Sequence, residues 1–189
     1  MMHHRRLRLC QRLLTTPPLR PCEYDGTLAE RTLVLLKPDA VERRLLGEVL
    51  SRFERRGLGV VGLKLCRATR VTAEAHYRDH RDAAFFERAC VFLCSGPLVA
   101  AAFQGRGAIQ AARRLIGGSS DPLKCEAGTI RGDLAAHWRR NLVHGSDSPE
   151  AAARELQLWF PEGLLPSPLT LDPWLHELPG ARISFSDED

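Results

Sequence analysis

The sequence predicts an α+β fold in which helices pack on one face of an antiparallel sheet. Short apolar runs rich in branched residues, which are typical of buried strands, alternate with longer segments of helical periodicity. A chain of 189 residues can form one domain with a substantial core and still carry terminal extensions. The sequence shows no internal repeat, and no apolar run approaches the ~20 residues that a membrane span needs.

The first part of the chain predicts two strands with a helix between them. Residues 31–36 form a short apolar run that indicates a buried strand. Asp39 can begin a helix whose apolar positions continue to Phe53 and which ends at Gly57. Residues 60–65 repeat the strand pattern.

The middle of the chain predicts helices over residues 72–80 and 83–90. A third strand is predicted over residues 91–95, because Gly96-Pro97 would end it. Residues 98–103 are then predicted to be helical.

The last part predicts a helix over residues 108–115, followed by a break at Gly117-Gly118. A fourth strand is expected near Asp133. Ser148 is expected to cap a final helix over residues 150–159.

The net charge of +4 is concentrated at the N-terminus. Residues 1–22 contain five arginines and no acid, so the rest of the chain has 22 cations against 23 acids. This distribution gives no support for a general nucleic-acid surface, and a DNA-binding function would rest on the tail alone. The six cysteines include no CxxC pair, which favours a reducing compartment over a secretory one.

The N-terminal segment, residues 1–29, has the composition of an organelle transit peptide. Arg5, Arg8 and Arg12 recur at helical spacing with leucines between them, and acids are lacking over residues 1–22. We therefore expect a mitochondrial location. The alternative is a disordered basic arm on a cytoplasmic protein, and in either case its charge would favour association with an anionic membrane.

The segment His144-Gly145-Ser146-Asp147 is the strongest functional signal in the chain. Asn141 precedes it by three residues, while Arg131 and Lys37 supply cations elsewhere. Two cations, an amide and a histidine suit a polyphosphate that donates its terminal phosphoryl group to a ring nitrogen.

With these residues the chain resembles the nucleoside diphosphate kinase family. The most specific strings are Gly128-Thr129-Ile130-Arg131-Gly132-Asp133 and Asn141-Leu142-Val143-His144-Gly145-Ser146-Asp147-Ser148, and the resemblance covers roughly residues 30–160. It implies a ferredoxin-like βαββαβ sandwich, with a four-stranded antiparallel sheet and helices packed on it. The kinase domain would span residues 30–177, between the N-terminal extension and an acidic tail over residues 178–189.

The resemblance implies an enzyme that moves the γ-phosphoryl group of ATP to a nucleoside diphosphate. The mechanism would be ping-pong, with a phosphohistidine intermediate on His144. Glu155 would orient the His144 ring, directly or through neighbours, and Tyr77 would order the same side of the site.

The resemblance also implies the nucleotide contacts. Lys37, Arg113 and Arg131 would contact the phosphates, Ser120 would offer a hydroxyl, and Asn141 would join Lys37 at the sugar. Two of these matches leave alternatives open: Arg114 could replace Arg113, and Ser119 could replace Ser120. Magnesium would arrive with the nucleotide, with no direct protein ligand, and Asp147 is a candidate for a water-mediated contact.

The base pocket departs from the family pattern. Phe85 matches the aromatic residue on which the base stacks, but Trp138 stands where a small branched residue is usual. Ala89 replaces a leucine that normally lines the pocket. Trp138 could form a second stacking face or turn outward, and broad base acceptance is expected in both cases because every base has a π-face.

The family's assembly loop corresponds to residues 120–127, where Pro122 is kept but Ala127 replaces a usual proline. We therefore expect a homo-hexamer, a trimer of dimers, that is weaker than is usual in the family. The competing hypothesis is a catalytically inactive relative that binds nucleotides or membranes as a scaffold.

Overall fold

The computed structural model describes residues 30–166. The strands are β1 (Glu30–Leu36), β2 (Gly59–Arg67), β3 (Pro97–Gly105) and β4 (Val143–Gly145). The α-helices are α1 (Pro38–Glu42), α2 (Leu46–Arg55), α3 (Arg70–His76), α4 (Phe86–Cys94), α5 (Ala108–Ile116), α6 (Ile130–Leu134) and α7 (Pro149–Trp159). Two short 3₁₀ helices span Arg78–His80 and Pro122–Lys124. The predicted boundaries of the terminal extensions stay predictions, because residues 1–29 and 167–189 lie outside this range.

The four strands form one antiparallel sheet in the order β2-β3-β1-β4. β1 and β2 therefore run parallel with β3 between them, and β3 and β4 run parallel with β1 between them. Two such split β-α-β units define the ferredoxin-like arrangement. The predicted fold class is confirmed.

Helices cover both faces of the sheet, whereas one covered face was expected. Alternate residues of β1 belong to different core clusters: Val34 and Leu36 pack with α2 and α5, and Leu33 and Leu35 pack with α3, α4 and α7. A strand buried on both faces has a continuous apolar run instead of an alternating one. The unbroken run at residues 32–36 is of this kind, and it indicates a strand that is covered on both faces.

Three predicted elements in the second half are wrong. Residues 91–94 belong to α4, and residues 98–103 belong to β3. The run Leu98-Val99-Ala100-Ala101-Ala102-Phe103 has high helix propensity, but its central position in the sheet buries it on both sides. Asp133 lies in α6, and the fourth strand comes ten residues later, at Val143–Gly145.

The helix predicted from Asp39 to Phe53 is divided into α1 and α2. The chain turns between them at Arg44, which has a left-handed φ of 58°. Asp39 lies within α1 and does not cap it; its Oδ2 accepts a hydrogen bond of 3.0 Å from the Leu142 N–H instead. The carboxylate thus ties the first helix to the segment that precedes β4.

The last helix begins as predicted, because Ser148 Oγ accepts a hydrogen bond from the Ala151 N–H. α7 packs against β1, and its residue Glu155 faces the sheet beside β4. Between Glu30 and Pro166, we find no helix with the length and apolar character that crossing a membrane would require.

Candidate active site

The site centres on a direct hydrogen bond between His144 and Glu155. His144 lies in β4 opposite Leu35, and its Nε2 is 3.0 Å from Glu155 Oε1. The Glu155 side chain is buried, while the His144 side chain is 24% exposed. Glu155 can therefore hold one ring nitrogen from inside the protein, while the other ring nitrogen, Nδ1, has no hydrogen-bond partner among residues 30–166.

Gly145 allows this strand to lie close to α5. A Cβ at Gly145 would stand 2.6 Å from Ile116 Cδ1, which is closer than real Cβ contacts come. A side chain at position 145 would therefore require the end of the Ile116 side chain to shift.

Ser146 fixes the second oxygen of the Glu155 carboxylate. Its hydroxyl donates to Glu155 Oε2 at 2.7 Å and accepts from the Leu33 N–H at 3.2 Å. The side chain is fully buried. Both oxygens of the carboxylate are therefore engaged, and its orientation relative to His144 is fixed.

A second imidazole, His76, lies directly behind His144. The two ring centroids are 4.4 Å apart with an interplanar angle of 80°. His76 Nδ1 accepts a hydrogen bond of 3.3 Å from Trp159 Nε1, so this nitrogen carries a lone pair and the proton is on Nε2. Burial, reinforced by His144 and Arg154, holds the pKa of His76 well below its usual value, so the ring stays neutral.

Lys37 lies at the end of β1 and is hydrogen-bonded to the side-chain oxygen of Asn141. Burial lowers the pKa of Lys37 from 10.5 to about 8; Asp39 opposes this effect and Arg131 adds to it. The side-chain nitrogen of Asn141 donates to the carbonyls of Ser120 and Trp138. Asn141 thus connects Lys37 to two loops around the cleft.

The backbone between Asn141 and His144 is held in an uncommon conformation. Leu142 has a φ of 66°, which a buried non-glycine residue rarely adopts. Its N–H donates to Asp39 Oδ2, and its carbonyl accepts from the Lys37 N–H at 2.7 Å. These two bonds stabilise the turn that places Asn141 and His144 on the same side of the site.

Arg131, in α6, donates to four backbone carbonyls. The acceptors are Ser119 at 2.8 Å, Val143 at 2.9 Å, Gly117 at 3.3 Å and Asn141 at 3.4 Å. Burial, together with the nearby Arg113, lowers the pKa of Arg131 to about 10, so it remains a cation at neutral pH. A guanidinium has five N–H donors, and one of them remains for a ligand.

The other predicted phosphate contacts are more exposed. Arg113, on α5, is half-buried and helps to lower the pKa of Arg131, whereas its neighbour Arg114 is exposed. Ser119 Oγ accepts a hydrogen bond of 3.1 Å from the Asp121 N–H. Ser120 is exposed, and Asn141 donates only to its backbone carbonyl, so both hydroxyls keep an O–H that can donate and the choice between Ser120 and Ser119 stays open.

Phe85 and Trp138, the two predicted base-pocket aromatics, are each 43% exposed. The Arg139 guanidinium lies 4.5 Å from the Trp138 ring, and His137 is stacked beside that ring at 5.8 Å. Trp138 therefore has partners of its own, and whether it also stacks on a base stays a prediction.

Tyr77 does not contact His144 through a hydrogen bond within the described residues. Its ring lies edge-on to His76 at 4.7 Å, and His76 in turn contacts His144. Burial raises the pKa of the Tyr77 phenol well above its ordinary value, so it stays protonated and can donate a hydrogen bond.

One group of possible metal ligands lies at the site, and its chemistry fits magnesium poorly. Within residues 30–166, the compact group of metal-ligand types is His76, His144 and Glu155, whose atoms lie within 4.8 Å of one another. These atoms already bond one another, Ser146 or Trp159, and magnesium prefers oxygen ligands. Asp147 is an exposed carboxylate next to this group, which fits an ion that arrives with a ligand of its own.

Sequence reasoning missed His76, Trp159 and Asp39 as parts of the site, and it treated Ser146 only as a small hydroxyl. The spacing of Ser146 from Glu155 carried no signal, because the contact joins a strand end to the second turn of α7. A histidine followed by tyrosine on an apolar helix face was a possible signal for His76, but such a residue is more often an ordinary core side chain.

A buried carboxylate that hydrogen-bonds a partly exposed imidazole, in a domain that also carries a buried lysine and a buried arginine, is an arrangement that suits a phosphotransferase. Residues 30–164 match the sequence pattern of the family described as nucleoside diphosphate kinase. The chain belongs to this family, and it is an enzyme that acts on nucleotides. No observation in residues 30–166 favours the alternative of an inactive scaffold.

Individual relatives agree with this assignment. The chain is 49% identical to a nucleoside diphosphate kinase of Thermosynechococcus vestitus over 150 residues, which cover 79% of this chain and 99% of the relative. The apo crystal structure of nucleoside diphosphate kinase from Encephalitozoon cuniculi superposes with a TM-score of 0.75 at 34% identity, covering 78% of this chain and 99% of that one.

A third relative corrects the predicted location. Nucleoside diphosphate kinase II of Arabidopsis thaliana is 47% identical over 149 residues, which cover 78% of this chain and 64% of the relative, and it is named as chloroplastic. The prediction of a mitochondrial location is therefore wrong. Composition misled it, because a segment rich in arginine and poor in acids is shared by transit peptides of both organelles.

Proposed function

We propose that this protein transfers the γ-phosphoryl group of ATP to a nucleoside diphosphate through a phosphohistidine formed on His144. The observation that carries the proposal is the 3.0 Å hydrogen bond between His144 Nε2 and the buried Glu155. It assigns the ring proton to Nε2 and leaves the lone pair of Nδ1 for attack.

The two half-reactions follow from this tautomer. Nδ1 of His144 attacks the γ-phosphorus, the bond from that phosphorus to the β–γ bridging oxygen breaks, and a nucleoside diphosphate leaves. The ring becomes cationic, and Glu155 stabilises it through the Nε2 proton. A second nucleoside diphosphate then attacks the phosphohistidine with its terminal oxygen and regenerates neutral His144.

The cations supply charge stabilisation for this transfer. Lys37, Arg113 and Arg131 contact the phosphates in our proposal, and the Ser120 hydroxyl donates to them. Four of the five N–H groups of Arg131 already donate to backbone carbonyls, so it contributes its positive charge and one remaining N–H to phosphate binding.

The sugar and base occupy the outer part of the site in this proposal. Asn141 and Lys37 bind the sugar hydroxyls, and the base stacks on Phe85, which is exposed and carries no competing hydrogen-bond group. Tyr77 orders the His144 side through its ring contact with His76.

Magnesium is proposed as the metal, bound mainly by the nucleotide phosphates and water. When bound, it would neutralise charge that develops on the phosphate oxygens. Asp147 is the exposed carboxylate next to His144 that would reach its water shell, because both oxygens of Glu155 already have partners.

A homo-hexamer, a trimer of dimers, is proposed as the assembly. The loop over residues 120–127 is well placed to contact another subunit, because Leu123 at its tip is 94% exposed. Ala127, in place of a proline, supports a hexamer that dissociates more readily than is usual in the family.

A plastid location is proposed from the chloroplastic relative in Arabidopsis thaliana, with residues 1–29 acting as the transit peptide. The five arginines within residues 1–22 would also favour association with an anionic membrane surface.

The decisive experiment is incubation with γ-labelled ATP and magnesium, followed by a chase with a nucleoside diphosphate. We expect an acid-labile, base-stable phosphate on the protein that the chase removes. His144→Asn should abolish the labelling and keep the fold, because the nucleophile is lost at a half-exposed position. Label retained in His144→Asn, or located on another residue of the unaltered protein, would overturn the assignment.

A further inference from the structure

The proposed transfer uses His144 and Glu155 directly, and the buried imidazole of His76 enters it only as the ring that Tyr77 contacts. His76 is 3% exposed, and its Nε2 has no hydrogen-bond partner among residues 30–166. A buried N–H without a partner is costly, and most native structures avoid it. A ring retained at this place, in contact with the nucleophile, calls for a role.

Trp159 fixes the position of the His76 ring on the side away from His144. Trp159, at the end of α7, donates its indole N–H to Nδ1, and the ring packs between the indole and His144. This bond fixes both the orientation and the tautomer of His76. The ring is therefore a neutral, immobile surface, and the His144 ring stands nearly perpendicular to it.

We propose that His76 is a positioning residue that restricts rotation of the His144 ring, so that Nδ1 rather than Nε2 receives the phosphoryl group. The inference rests on the proposed function. The hydrogen bond to Glu155 fixes the tautomer of His144, but a single bond leaves the ring some rotation about its Cβ–Cγ bond. A second ring 4.4 Å from the first removes this freedom.

Neutrality is part of the same role. His76 Nδ1 lies 3.9 Å from Glu155 Oε1, so a charged ring at this position would compete with His144 for the carboxylate. It would also repel the cationic imidazole that forms on phosphorylation. An uncharged ring occupies the space without drawing Glu155 away from the nucleophile.

The two contacts of His76 can be separated by a pair of substitutions. His76→Asn keeps an acceptor near the Nδ1 position for Trp159 but removes the part of the ring that meets His144. His76→Phe keeps an aromatic ring against His144 and loses the acceptor. Val49→Ala is the matched control, since it removes buried volume from the core on the opposite face of the sheet.

Two measurements distinguish positioning from a general loss of stability. The first is the rate of phosphoenzyme formation in rapid-quench experiments. The second is the isomer formed, Nδ1- or Nε2-phosphohistidine, determined after mild proteolysis with isomer-specific antibodies. The unaltered protein should form the Nδ1 isomer, and if it forms no phosphohistidine the proposed function itself fails.

We expect His76→Asn to lower the rate about 10- to 100-fold, as for a misplaced reacting group, and to yield some Nε2 isomer. His76→Phe should be faster than His76→Asn and keep the Nδ1 isomer. The inference is overturned if His76→Asn keeps the original rate and isomer. It is also overturned if Val49→Ala slows phosphorylation equally while all variants form only the Nδ1 isomer.

Discussion

The two sides of the site differ in how far the folded chain completes them. On the nucleophile side, His144, Glu155, Ser146 and His76 are connected by short hydrogen bonds and ring contacts, and three of the four are buried. On the nucleotide side, Phe85 and Trp138, like Ser120, are exposed. The chain therefore prepares the nucleophile in advance and leaves the outer part of the nucleotide side to its substrate, whereas Lys37, Arg131 and Asn141 beneath it are already buried.

This difference has a physical reason. The nucleophile must present one tautomer and one orientation, and fixed dipoles in a buried site provide both without reorganisation during the reaction. The nucleotide side must release two products in every cycle, so strong preformed contacts there would slow turnover. Substitutions on the two sides should accordingly affect different kinetic constants.

The largest effect is expected for Glu155→Gln. His144 and Ser146 both donate hydrogen bonds to this carboxylate. In the glutamine variant the amide nitrogen would face one of these donors and could not accept its hydrogen bond. The substitution would also remove the negative charge that stabilises the cationic ring. We expect phosphoenzyme formation to slow about 10²- to 10⁴-fold. Glu150→Gln, an exposed change in the first turn of the same helix, is the control. A rate close to that of the unaltered protein would mean that the nucleophile side does not depend on this carboxylate.

A smaller effect is expected for Arg113→Ala. Loss of one charged donor to the developing phosphate charge should lower kcat/KM about 10²- to 10³-fold. Arg114→Ala removes the adjacent, exposed guanidinium and should leave kcat/KM nearly unchanged. Steady-state kinetics of the two variants would decide between the neighbours, and the reverse pattern would assign the phosphate contact to Arg114.

The pH dependence of Lys37 tests the junction between the two sides. With a pKa lowered to about 8, the free enzyme loses this cation as the pH rises past that value, so kcat/KM should fall about ten-fold per pH unit above it. Lys37→Arg, which stays charged, should have a lower but flatter profile. A profile for the unaltered protein that is flat up to pH 10 would show that the cation is not required.

The titration of Lys37 should raise the free energy of unfolding as the pH increases, whereas it lowers kcat/KM. Between about pH 8 and 10.5 the unfolded chain keeps a proton on this lysine that the folded protein has lost. Stability rises with pH wherever the unfolded state binds more protons. Urea unfolding across this range should therefore show a gain in the unaltered protein that is absent in Lys37→Arg.

The comparison also explains how far the sequence could be interpreted without a structure. Asn141, Arg131 and His144 were predictable because they lie in two strings that resemble a family, and Lys37 and Glu155 followed from the same resemblance. The structure joins Lys37 and Arg131 to Asn141, and it joins His144 to Glu155, while their catalytic and binding roles stay predictions. The short apolar run of β1 and the helical periodicity of α5 and α7 predicted these elements because each pattern agrees with the burial of the element. Local signals were sufficient where propensity and environment agree.

Local sequence signals failed where tertiary packing determines the secondary structure or the role of a residue. The alanine-rich segment over residues 98–103 favours a helix by propensity, yet the centre of a sheet covered on both faces holds it as a strand. Ser146 and His76 escaped notice because their roles depend on contacts across the sheet. The positions of the buried partners on the nucleophile side are set by non-local packing, which spacing along the chain does not encode.

The smallest effect is expected at the assembly loop, on the nucleotide side. Ala127 is exposed, and its N–H makes no hydrogen bond within residues 30–166, so a proline ring would displace no contact there. The loop is already fixed beyond it by the bond from the Gly128 N–H to Asp133 Oδ1. Ala127→Pro should therefore stabilise the loop by about 0.4–1 kcal/mol per subunit, by narrowing the unfolded ensemble.

This gain should appear as a hexamer that dissociates at a higher urea concentration in sedimentation experiments. Pro122→Ala removes the proline that the loop retains and should shift dissociation the other way. ADP should raise the dissociation midpoint of every variant, because a ligand bound at Ser120 and Arg113 stabilises the base of the loop only in the folded assembly. A monomer or dimer at micromolar concentration in plain buffer would contradict the proposed assembly. Equal midpoints with and without ADP would show that the nucleotide side and the assembly loop are not coupled.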